Sequence, residues 1–136
     1  MKKLLIIATI AILFGACSNT SQEKEKASLK EVITVHDQVM DREEKLMQHK
    51  MELDTLLKVT TDTMQRAAIA NVTAKLMKAD AAMGTWMQNF NPSAGFKTHE
   101  EKMAYLAQQK KAVLAVDSQL QAAVKASEEY LNKNKK

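Results

Sequence analysis

The chain has 136 residues, with 20 Lys or Arg against 16 Asp or Glu, a net charge of +4, and 46 % hydrophobic but only 4 % aromatic residues. That length suits one domain. Three glycines offer no phosphate-cradling loop, the three histidines lack zinc-motif spacing, and no basic patch interleaves with aromatics, so nucleotide-loop, zinc-motif and nucleic-acid readings are set aside.

Residues 1–16 have the layout of a secretory signal peptide. Lys2 and Lys3 give a positive start, Leu4 to Phe14 is apolar except for Thr9, and Gly15 and Ala16 are small. The apolar run is shorter than the roughly 20 residues that span a bilayer. Cys17, the single cysteine, follows at once. Leu13-Phe14-Gly15-Ala16-Cys17 resembles the bacterial lipobox. That resemblance implies cleavage before Cys17, lipid modification of Cys17 with acyl chains such as palmitate, and a place in the bacterial cell envelope. Ser18 stands where an Asp would favour inner-membrane retention, which leans the resemblance toward the outer membrane. The alternative is a secreted protein with Cys17 as a free thiol, a liability in an oxidising compartment without a second cysteine. Loss of Lys2 and Lys3 with the leader leaves 18 basic and 16 acidic residues.

Residues 17–27 read as the lipidated cysteine and a flexible tether, since Ser18 to Lys26 contains no apolar residue. From residue 28 the chain is rich in helix formers and almost free of breakers until Asn91-Pro92. The predicted fold is all-α, an antiparallel three-helix bundle over 28–133 with a polar tail at 134–136. Its runner-up is a helical hairpin that dimerises.

The first helix, about 28–58, repeats Val32, Val39, Leu46 and Leu53 every seven residues, with Ile33, Met40 and Met47 beside them. Thr60-Thr61-Asp62 breaks the run and can cap the next helix. The second helix, about 63–90, carries a coiled-coil seam of Ile69, Val72, Leu76, Ala79, Met83, Trp86 and Phe90. A loop over 91–97 leads to Thr98 with Glu101 three residues on, a capping box. The third helix, about 99–133, turns Met103, Leu106, Val113, Leu120, Val124 and Leu131 inward. With hairpins centred near Thr60 and Ala94, Glu43 would pair with Lys110 and Lys50 with Asp117, or all four would line a solvated groove edge.

The same geometry gathers His36, Met40, Met83, Met87 and Met103 at one end, with Trp86 and His99 as auxiliaries. His36 and Met40, Met83 and Met87, and His99 and Met103 are each four apart on one helix face. Imidazole and thioether ligands suit Cu(I) or Ag(I). The bland alternative is ordinary core packing, for which methionine is a common gap-filler. His49, Met51 and Met64 lie toward the other end.

The segments His36-Asp37-Gln38-Val39-Met40 and Trp86-Met87-Gln88-Asn89-Phe90, with the Pro/Gly loop that follows, resemble small helical lipoproteins of Bacteroidota-type envelopes over most of 28–131. The resemblance brings no activity with it. The expectation is a non-enzymatic helical module, attached to a membrane through Cys17, that meets an envelope protein or a second copy of itself and binds no nucleic acid. The alternative is an envelope protein binding Cu(I) or Ag(I).

Overall fold

A computed structural model describes residues 15–134, with side chains from residue 19. The expected signal segment and the Cys17 side chain lie outside the described residues. Three helices follow one another: α1 (Gly15–Val59), α2 (Thr63–Asn89) and α3 (His99–Asn134). They pack as an antiparallel three-helix bundle in which α1 meets α3 most extensively and α2 least.

The heptad positions form the core. Val32, Val39, Leu46 and Leu53 are fully buried, as are Leu76, Ala79, Met83, Val113 and Leu120. A side chain of this kind contributes roughly 1.5–3 kcal/mol when fully buried, so these rows hold the helices together. Ile69, Trp86, Leu106, Val124 and Leu131 continue the core toward both ends, while Val72 and Phe90 are partly buried against it.

The α1–α2 turn is three residues long and contains no glycine. Asp62 caps α2, its Oδ1 accepting from the Gln65 amide at 2.8 Å. Arg66 reaches back and donates to the carbonyls of Leu57 and Thr60 at 2.8 and 2.9 Å. Carbonyls at a helix C-terminus have no partner within the helix, so one guanidinium closes α1 while opening α2. Thr98 caps α3 by accepting from the Glu101 amide at 3.1 Å. The Glu101 carboxylate in turn accepts from the Lys97 amide at 2.9 Å, one residue earlier than in the usual capping box.

Two expectations are corrected. The segment expected as a flexible tether is helical, because α1 already runs from Gly15. Its polar residues are compatible with a helix, and Glu25 ties the segment to the start of α3: His99 Nδ1 lies 2.8 Å and Lys102 Nζ 2.9 Å from its carboxylate. The pairs Glu43–Lys110 and Lys50–Asp117 do not form. Lys110 Nζ meets Glu31 at 2.8 Å, Lys50 Nζ meets Asp54 at 2.6 Å, and Asp117 takes Arg42 and Gln121. The cause is the second connection. Phe90 to Thr98 is not a symmetric hairpin: Tyr105 lies opposite Phe90, and its Oη accepts from the Asn91 amide at 2.6 Å. Thus α3 sits about two turns, roughly 10 Å, from the register of a simple turn at Ala94.

Candidate functional site

The two sides of α1 carry different chemistry. Toward α3, Arg42 pairs with Asp117 and Lys45 Nζ lies 3.3 Å from Glu128. One turn beyond Lys45 the buried His49 Nδ1 sits 2.7 Å from Ser127 Oγ, which donates to the Val124 carbonyl at 2.7 Å. The Ser127 hydroxyl has one proton, and that bond uses it. Its oxygen therefore accepts from a protonated His49 Nδ1. This histidine is a satisfied structural residue.

Toward α2 the arrangement changes. Four residues past core positions, His36 and Glu43 on α1 and Asp80 and Met87 on α2 fall at the edge of the core stripe of their helices. Burial, followed by the hydrogen bonding and charge of the neighbouring Asp80, holds the Glu43 carboxyl above its ordinary value, with His36 opposing. In an antiparallel pair, seven residues back on α1 match seven residues on along α2. His36 therefore stands level with Met87 as Glu43 does with Asp80. Further round the same face, Met40 is level with Gly84 and Met47 with Met77. A Cβ added at Gly84 would meet nothing within 4 Å, so the space above it is open.

Ile33, Met40, Met47, Met77 and Met87 form a band along this face and keep 37–47 % of their surface exposed. An aromatic series closes one end. The His36 ring centroid is 5.9 Å from Trp86, Trp86 stacks on Phe90 at 4.8 Å, and Tyr105 lies 6.3 Å from Phe90 and 5.0 Å from Phe96. Trp86 is buried, and its Nε1 has no acceptor. An unpaired buried donor costs about 1–3 kcal/mol, so aromatic packing must offset it.

His36 Nδ1 lies 3.0 Å from Asp37 Oδ1. A carboxylate there fixes the proton on Nδ1 and leaves the Nε2 lone pair available.

The candidate residues divide accordingly. His36 and Trp86 meet across the α1–α2 seam, and heptad spacing sets Met40 and Met87 level with them. Met83 is fully buried in the core. Met103 and His99 lie beyond the cluster, carried away by the register of α3, and His99 is held by Glu25. His49 is committed to Ser127, while Met51 and Met64 are 67 % and 83 % exposed near the opposite end. The roles of Asp37 and Asp80 were missed from the sequence. Asp37 had a local signal in its place beside His36, whereas Asp80 becomes visible only once the α1–α2 register is known.

Among the described residues, no group of three or more His, Cys, Asp or Glu side chains is placed to hold a metal. The chain matches no protein-family model, no curated protein and no solved structure.

Proposed function

We propose that the chain is a non-enzymatic, lipid-anchored envelope protein whose bundle is an interaction module, held to the membrane, in the outer-membrane direction, through Cys17. The observation that carries the module reading is the apolar band of Ile33, Met40, Met47, Met77 and Met87. These five large side chains lie on one face of an otherwise well-packed bundle and stay partly in water. Flexible thioethers suit a surface that must adapt to a partner. The positive start, apolar run and small pair before Cys17 support the anchor. No helix among the described residues is long and apolar enough to cross a membrane.

Two measurements test the reading separately. Cells expressing the full chain and fed a labelled fatty acid should label it, and Cys17→Ser should abolish the label; an unlabelled native chain rejects the anchor. A photo-crosslinker at Met47 or Met77 should trap one discrete envelope partner or a second copy, while the same group at Leu114 on α3 should not. Equal trapping from both faces rejects the module.

A further inference from the structure

We propose that His36, Met40 and Met87 form a binding site for a soft monovalent cation, Cu(I) or Ag(I), in the seam between α1 and α2. This goes beyond the interaction module and does not depend on it.

Three observations converge. The first is placement. His36 and Met40 are one turn apart on α1, and the His36 ring lies 5.9 Å from that of Trp86, the residue before Met87, which sets Met87 level with His36. Gly84, level with Met40, leaves the space above the seam open. The second is the state of the histidine. Asp37 beside Nδ1 leaves Nε2 as the free ligating nitrogen, the arrangement in which a carboxylate orients a metal-bound imidazole. The third is access. His36 keeps 24 % of its side chain exposed, Met40 37 % and Met87 47 %, so all three are reachable without opening the core.

Ligand chemistry selects the ion. One imidazole nitrogen and two thioether sulfurs are a soft set, suited to Cu(I) and Ag(I) and poor for Mg, Ca or Mn. Trp86, with its ring 5.9 Å from that of His36, borders the site and supplies a π-face of the kind that attracts cations. The carboxyls of Glu43 and Asp80 lie one heptad along the same seam. Their negative charge favours a cation there. The site differs from the larger cluster legible in the sequence: Met83 stays in the core, and Met103 and His99 take no part.

The test uses the full chain carrying Cys17→Ser, so that no thiol competes. It is titrated with silver nitrate in chloride-free buffer while the emission of Trp86, the single tryptophan, is followed. The expected result is a break at one equivalent. Met40→Leu and Met87→Leu should each weaken binding about tenfold or more, a loss of roughly 1.4 kcal/mol or more for each ligand. Leucine conserves volume, so unchanged thermal unfolding of both variants would separate lost ligation from lost fold. Asp37→Asn should weaken binding about tenfold by freeing the imidazole, as loss of an orienting partner does. Met103→Leu and His99→Gln should leave the titration unchanged. No change in emission together with no silver retained by mass spectrometry overturns the site. So does a Met103→Leu loss equal to that of Met87→Leu.

Discussion

The α1–α3 and α1–α2 seams share one helix and differ in almost everything else. Against α3, α1 places buried valine and leucine beside matched polar groups: Arg42 with Asp117, Lys45 with Glu128, His49 with Ser127, and Glu25 with His99 and Lys102. Against α2 it places like charges together at Glu43 and Asp80, leaves methionines half in water, and packs His36 near an indole whose N–H is unpaired. Local and global preferences agree in the first seam and conflict in the second. Conflicts of that kind concentrate where a protein does something besides fold. The seam with matched polar groups is therefore a different seam from the one on which the proposed interaction and ion site rest.

The contrast breaks most readily at neighbouring residues. Leu46→Ala removes a fully buried side chain of the core. It should cost about 2–5 kcal/mol in urea unfolding. Met47→Ala, one residue along and 44 % exposed, should stay within about 0.5 kcal/mol. Comparable losses would mean that the methionine band is structural after all.

Gly84→Ala tests the open side of the α1–α2 seam. A helical glycine whose added Cβ meets nothing should gain about 0.5–1 kcal/mol on becoming alanine. A fall in melting temperature would show that the face is closed over Gly84.

The smallest effect separates the seams by pH. Glu43 is held above its ordinary value of 4.5, so above that pH the folded chain binds more protons than the unfolded chain. Stability from this group is present at low pH and declines as pH rises through the raised value. Glu25 behaves in the opposite sense. Hydrogen bonds from His99 and then Lys102 hold it below 4.5, so its contribution is present above that pH and lost as pH falls through the lowered value. Glu43→Gln should gain on the native chain as pH is raised from 4 to 7, read as the difference between two unfolding midpoints. A difference independent of pH would remove the carboxyl pair from the description of this seam.

Legibility in the sequence followed the length of the connections. Val32, Val39, Leu46 and Leu53 were readable as core from their spacing alone, because burial on one helix face imposes the heptad. The meeting of His36 with Trp86 was readable because a three-residue turn passes register from α1 to α2 with little freedom. The nine residues between α2 and α3 do not. Their path is set by the Asn91–Tyr105 hydrogen bond and by Phe96 packing on Tyr105, contacts with no local pattern. Met103 and His99 were misplaced for that reason. The helical start of α1 was hidden similarly, since its polar residues suit a helix or a coil equally and Glu25 finds partners more than seventy residues away.

That uninterrupted start gives the chain a rotational setting. A coil between Cys17 and the bundle would let the domain face any direction, whereas α1 runs as one helix from Gly15 through Glu25. Each residue inserted or deleted before Glu25 would turn everything beyond it by about 100° around the α1 axis and shift it by about 1.5 Å. Under the proposed anchoring at Cys17, residue count in this short stretch would be an angular coordinate, selecting whether the methionine band or the α3 side looks toward the bilayer.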